Sequence, residues 1–205
     1  MRRLEVDTPH GQANAHVHPV DDPRAALVLG HGAAGGVSSR DLGTVTGVAC
    51  DAGLSVVLVE QPYRVAGRRS AAPAHQLDAA WTAVVAHLRA GELGGLPLIA
   101  GGRSSGARVA CRTAEATGAA AVLCLAFPLQ PPQRRSAVAP APSRQAELEA
   151  VDVPVLVVQG TRDQFGMPPA GARRTVVQVA GDHSLRTDLD ALAEAVRDWL
   201  PVVLR

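Results

Sequence analysis

The sequence predicts an α/β fold built on a mostly parallel sheet, with helices on both faces and an antiparallel hairpin leading in. Three observations carry this. Short apolar runs alternate along the chain with stretches whose apolar residues recur at helical spacing. The runs are apolar throughout, as suits strands covered on both faces, except at the start, where alternation suits a half-exposed hairpin. And 205 residues, 47 % of them apolar, are enough for one domain over 1–205 but cramped for two.

The elements follow in order. Residues 3–8 and 12–18 alternate and meet near His10-Gly11, predicting the hairpin. Ala25 to Leu29 is a buried strand ending at Gly30. Ser38, with Asp41 three residues on, reads as a capping box for a helix carrying Leu42, Val45, Ala49 and Ala52 on one side and ended by Gly53. Ser55 to Val59 is the next strand. His75 to Arg89 carries Leu77, Trp81, Val84, Val85 and Leu88 as a helical stripe. Leu96 to Ala100 is a strand, followed by a glycine-rich turn and a helix through Ala116, with Gly118 past its end.

Ala119 to Leu125 is again a strand. Residues 128–145, rich in Pro, Arg and Ser (Pro131-Pro132, Pro140, Pro142), read as an exposed connection, the only segment able to cover a pocket and too small for a lid domain. Val153–Val158 and Thr175–Val179 are strands, and Thr187 opens a last helix with Leu189, Leu192, Val196 and Trp199 inward. Internal repeats are absent.

Twenty basic against nineteen acidic side chains give a net charge of +1, so neither nucleic acid nor an anionic membrane is the expected partner. Every basic residue is Arg. Pairs such as Arg68-Arg69, Arg134-Arg135 and Arg173-Arg174 read as solvated surface. The N-terminal residues lack the apolar run of a signal peptide, and no window is apolar enough to span a bilayer. Cys50, Cys111 and Cys124, odd in number and without a Cys-x-x-Cys pair, read as reduced core thiols, which with the missing leader suggests the cytoplasm.

Sites in open α/β sheets form at the carboxyl ends of strands, so three loops matter. The first, Gly102-Arg103-Ser104-Ser105-Gly106, is a Gly-x-Ser-x-Gly turn between strand and helix, which lifts a serine hydroxyl clear of the sheet. Such a hydroxyl needs a base and an orienting acid. In this arrangement the chain order is Ser, acid, His, and His183 is the only histidine downstream of Ser104. Asp163, just past the strand ending near Val158, is the candidate acid. Asp182 is its rival, but adjacent to His183 it is better placed to shape the loop.

The loop Gly30-His31-Gly32-Ala33-Ala34-Gly35-Gly36 supports two readings. It can supply one oxyanion N–H from Ala33, with Ser105 supplying the other and His31 tying down the loop. Gly30-x-Gly32-x-x-Gly35 is also a dinucleotide fingerprint, with Glu60 where a ribose-binding acid could sit. The leading hairpin and the Ser104, Asp163, His183 series favour the former. His16 and His18 share a strand face near Asp21-Asp22, but without further convergent ligands they read as a solvated face and no metal is expected.

The segments 101–108 (Gly-Gly-Arg-Ser-Ser-Gly-Ala-Arg) and 159–166 (Gln-Gly-Thr-Arg-Asp-Gln-Phe-Gly), with His31 to Gly35 and Gly181 to Leu185, resemble a particular α/β-hydrolase-like family. It includes a testis-expressed protein, a subunit of the NSL histone acetyltransferase complex and many short bacterial members. The likeness runs from about residue 25 to 200. It implies the α/β-hydrolase fold and a Ser104–His183–Asp163 triad, and says little of substrate. Ser105 departs from the Met more often found there, but only its backbone N–H is needed. Dienelactone hydrolases are more distant relatives, with Cys in place of Ser104.

The expected function is therefore hydrolysis of an ester or thioester of a small acyl group through an acyl-enzyme, without cofactor or metal, in a shallow site. The alternatives are a non-catalytic binding or interaction module on the same fold and, remotely, a dinucleotide-binding domain.

Overall fold

The computed structural model describes residues 1–131 and 141–204. Arg134-Arg135 and half of the 128–145 connection, residues 132–140, lie outside the described residues. Eight strands form one sheet: β1 (Arg2–Thr8), β2 (Gly11–His18), β3 (Ala25–Gly30), β4 (Leu54–Glu60), β5 (Leu98–Arg103), β6 (Ala121–Leu125), β7 (Val155–Gly160) and β8 (Arg174–Val179). Their order is β1-β2-β4-β3-β5-β6-β7-β8. The β1–β2 hairpin is antiparallel and joins β4 antiparallel, while β4 through β8 are parallel. The predicted architecture is present.

The largely apolar strands β3, β4 and β6 are buried, save for Glu60 at the end of β4, because helices cover both faces. On one face α1 (Arg40–Asp51) packs on α7 (Leu189–Val203), enclosing Leu27, Leu29, Val56, Leu123 and Trp199. On the other, α3 (Ala74–Ala90) and α4 (Ser105–Arg112) enclose Val28, Val57, Trp81, Val122 and Phe127. Among the described residues nothing forms a separate lid domain.

Several local expectations are corrected. α1 begins at Arg40 with Ser39 as N-cap and no side-chain cap, because Asp41 turns inward, 1 % exposed on its side chain, toward Arg103. α7 is capped by Asp188, which accepts the Ala191 N–H at 3.0 Å, rather than opened by Thr187. Strand β5 runs on through Gly101, Gly102 and Arg103, which the sequence suggested were already loop. The helix expected through Ala116 breaks at Thr113 into α4 and α5 (Ala114–Thr117); the Thr113 hydroxyl bonds back to the Val109 carbonyl at 2.7 Å.

Two short helices, α2 (Pro62–Val65) and α6 (Gln145–Glu149), were not anticipated. Pro128 and Leu129, assigned to the exposed connection, are buried. His16 and His18 are half-buried rather than solvated, with His16 Nε2 3.8 Å from Glu60 Oε2 and burial lowering the His18 pKa. Cys111 and Cys124 are buried free thiols; Cys50 is only half-buried. Arg68 and Arg69 are exposed, but Arg174 of the third pair is half-buried and donates to the Pro169 carbonyl at 2.7 Å.

Candidate functional site

Ser104 sits in the step from β5 to α4 with φ 53° and ψ −107°, a backbone conformation few non-glycine residues adopt. Its N–H donates to the Leu125 carbonyl at 2.8 Å, which anchors the turn to β6. The turn is this tight because glycines let backbones touch. A Cβ on Gly102 would lie 2.5 Å from the Gly30 oxygen, and one on Gly106 would overlap the Gly30 carbonyl. The ends of β3 and β5 therefore meet the first turn of α4 with no side chain between.

The loops after β7 and β8 bring in the other two groups. Ser104 Oγ lies 2.9 Å from His183 Nε2, and His183 Nδ1 lies 2.8 Å from Asp163 Oδ2. A carboxylate only accepts, so the imidazole carries its proton on Nδ1, and Nε2 is the acceptor facing the serine hydroxyl. The Asp163 carboxylate is fully buried. Its Oδ1 accepts the Phe165 N–H at 2.9 Å and its Oδ2 a second bond from Gln159 Nε2 at 2.8 Å. Asp182 bonds only within its own loop, accepting from the Ser184 N–H and hydroxyl.

Ala33 and Ser105 both line the same cavity as Ser104 and His183, with a volume of about 400 Å³. Neither N–H has an acceptor among the described residues, so both are free to donate to a ligand. The Gly32–Ala33 peptide is pinned from its other side. The Gly32 oxygen accepts from His31 Nδ1 at 2.8 Å and from the Gly35 N–H at 3.1 Å. Since a trans peptide points its N–H opposite its C=O, holding that oxygen fixes where the Ala33 N–H aims. His31 Nε2 accepts the Gln61 N–H at 3.1 Å, and burial lowers its pKa, consistent with a neutral ring. Tyr63 donates to the Ala33 carbonyl at 3.0 Å, its own pKa raised to about 12 by burial.

Four supporting residues escaped sequence reasoning. Arg103 donates to the His183 carbonyl at 3.0 Å while its Nε lies 3.5 Å from buried Asp41, tying α1 to the histidine loop. Gln159 holds Asp163. Phe165 meets the His183 ring edge-on with centroids 4.5 Å apart. Only the adjacency of Arg103 to Ser104, and the position of Gln159 and Phe165 within four residues of Asp163, offered a signal.

The fingerprint glycines are otherwise engaged. Gly30 packs against Gly106 and Trp81, α1 starts five residues after Gly35, and the Glu60 carboxylate accepts from Asn14 at 3.2 Å. No group of three or more His, Cys, Asp or Glu placed to hold a metal occurs among the described residues.

Residues 23–194 match the family model described as an alpha/beta hydrolase domain. No curated protein matches the chain. Among solved structures, an alpha-beta serine hydrolase homologue from Coxiella burnetii is similar at 15 % identity and TM-score 0.76, covering 97 % of each chain. XC6422 from Xanthomonas campestris, described as an a/b serine hydrolase without lid, is similar at 21 % identity and TM-score 0.71, covering 98 % of this chain and 95 % of that one. Est1E from Butyrivibrio proteoclasticus is similar at 16 % identity and TM-score 0.76, covering 98 % of each chain.

Proposed function

Because this chain belongs to the alpha/beta hydrolase domain family and has its fold, we propose that it is a serine hydrolase acting on esters or thioesters of small acyl groups. The observation that carries this reading is the continuous hydrogen-bonded series from Ser104 through His183 to buried Asp163, opening on a cavity. Hydrolase chemistry in structurally similar proteins supports it.

In this reading Ser104 Oγ attacks the acyl carbonyl as His183 Nε2 takes its proton. The oxygen that becomes negative accepts from the Ala33 and Ser105 N–H groups, and losing one such donor typically costs ~3 kcal/mol of transition-state stabilisation. The tetrahedral species collapses as His183 protonates the departing alcohol or thiol, leaving an acyl-serine. Water, deprotonated by His183, then releases the acid and restores Ser104. Asp163 holds the Nδ1–H tautomer and balances the transient imidazolium. Atoms and charge close with protein groups and water alone, so no metal or cofactor is invoked.

The same reading takes 1–205 as one domain working on a small molecule rather than nucleic acid or a membrane. No helix among the described residues is long and apolar enough to cross a membrane. Three free thiols support a cytoplasmic setting. Within the family, segments 101–108 and 159–166 support the narrower likeness to the group with the testis-expressed and NSL-complex members.

A fluorophosphonate probe tests the proposal. Label on Ser104, lost in Ser104→Ala, together with turnover of 4-nitrophenyl esters and short acyl thioesters, is the expected result. A folded protein that takes no label and turns over neither substrate class is instead a non-catalytic module.

A further inference from the structure

Ser104 stands immediately before α4, and Arg108 and Arg112 follow at four-residue intervals, so the three share one side of the helix. A helix rises 1.5 Å per residue, which puts those arginine positions ~6 and ~12 Å along the axis from the serine. Both side chains line the cavity that contains Ser104 and His183, and Arg144, from the turn before α6, joins them. The rest of the lining includes small or apolar residues, Ala33, Ala72 and Leu77 among them, and no carboxylate.

The charges around these arginines do not balance. Arg112 is paired with Asp78 at 2.6 Å and with Glu147 at 3.3 Å. Arg108 shares Glu147, with Nε to Oε2 at 2.8 Å. Arg103, which also lines the cavity, faces Asp41. Arg144 is left over. Its Nη1 donates to the Pro128 carbonyl at 3.0 Å, and no carboxylate lies within 4.0 Å of it among the described residues. Residues 132–140 contain no Asp or Glu, so they hold no side chain that could neutralise it. Burial first, and then the positive charges of Arg108 and Arg112, push the Arg144 pKa down, with the Glu147 carboxylate offsetting only part of this. A guanidinium held half-buried beside two like charges, with Glu147 already paired to both of them, has no carboxylate of its own, and its planar fork matches carboxylate and phosphate oxygens.

The geometry points to an anion subsite beside Ser104, formed by Arg144 with Arg108 and Arg112, so that the substrate is an ester or thioester which also carries a carboxylate or phosphate group. This rests on the serine-hydrolase reading and narrows it. The scissile carbonyl sits at Ser104, and the anion lies along α4 toward Arg108 and Arg112.

Two substrates of equal acyl length test it: mono-4-nitrophenyl glutarate, which ends in a carboxylate, and 4-nitrophenyl pentanoate, which ends in a methyl. The readout is the ratio of their kcat/KM values. Arg144→Gln is expected to lower this ratio by about tenfold or more, the scale of one charge-assisted hydrogen bond. Glu147→Gln, which removes a competing carboxylate, is expected to raise it; opposite signs from two variants exclude simple misfolding. In parallel, calorimetric titration of the unaltered protein with glutarate and with inorganic phosphate shows which anion the subsite takes, and Arg144→Gln weakens that binding by about tenfold. A ratio unchanged in both variants, or equal anion binding by unaltered and Arg144→Gln protein, overturns the subsite. If neither ester is turned over, the hydrolase reading fails and the titration decides alone: anion binding lost in Arg144→Gln keeps the subsite, and no binding removes it.

Discussion

Replacing Asp163 by Asn changes one atom, and the surrounding donors determine which way the new amide points. Phe165 N–H, a backbone donor that cannot move, faces Oδ1, whereas Oδ2 faces His183 Nδ1 and Gln159 Nε2. Gln159 Nε2 has two hydrogens and three acceptors within reach, the others being the Phe127 and Gly166 carbonyls at 3.1 and 2.9 Å. It can release Asp163 without losing a bond, and Phe165 cannot. The amide nitrogen therefore occupies the Oδ2 position and donates to His183 Nδ1, driving the imidazole proton onto Nε2. That nitrogen then faces Ser104 as a donor and cannot take its proton. In a serine protease the equivalent change lowers kcat by ~10⁴, and the same loss is expected here. Stability should fall by only ~1 kcal/mol, since every displaced donor retains an acceptor. For a chain of this size that is a drop of about 2–4 °C in Tm. Ester kcat and calorimetric melting of Asp163→Asn measure both numbers. A variant keeping more than about a tenth of the original kcat, or inactive only because it is unfolded, would falsify the tautomer argument.

Further outcomes at His31, Arg103 and Gly102 rest on the same kind of contact. His31→Ala leaves the Gln61 N–H without an acceptor in a buried setting, which should cost about 2–3 kcal/mol in urea unfolding, and a loss near zero would sink the pinning role. Because burial lowers the folded-state pKa of His31 below its ordinary 6.5, the unfolded chain binds the proton first: its contribution is intact above pH 6.5, declines as pH falls below it, and that part of the decline vanishes in His31→Ala. Arg103→Gln leaves Asp41 buried without its cation and should destabilise by about 3–5 kcal/mol, with Arg103→Gln/Asp41→Asn recovering most of it in a double-mutant cycle; additive losses would show that the pair is uncoupled. Gly102→Ala forces a Cβ to 2.5 Å from the Gly30 oxygen and should lower stability by several kcal/mol, so a Tm within about 2 °C of the original would contradict the close contact.

What the sequence disclosed and what it hid divide along one physical line. The apolar runs of β3, β4, β6 and β7 are legible because covering a strand on both faces demands a local composition. Ser104 is legible because a sharp strand-to-helix step demands glycines at fixed offsets, and His183 because no other histidine follows it. Asp41 was not, since three residues past a serine it matches a capping box, and only its contact with Arg103, sixty-two positions away, turns it inward. Gln159 and Arg103 likewise act through partners brought near by other strands. α2 and α6, of four and five residues, are too short for any periodicity to register.

The glycine-rich loop after β3 shows the same limit most sharply, because one set of residues satisfied two incompatible patterns. In a dinucleotide fold the missing side chains make room for a pyrophosphate. Here the room beside Gly30 is filled by protein: the Gly30 carbonyl lies where a Cβ on Gly102 or Gly106 would stand. Beside Gly32 it is filled by Arg103, whose Nη1 lies 2.6 Å from where a Cβ would be. A phosphate cannot enter the space beside Gly30 that backbone already occupies. The pattern of glycines records only that something approaches closely. What approaches is decided by the neighbouring strand, and in this chain that strand is β5, which carries Ser104 at its end.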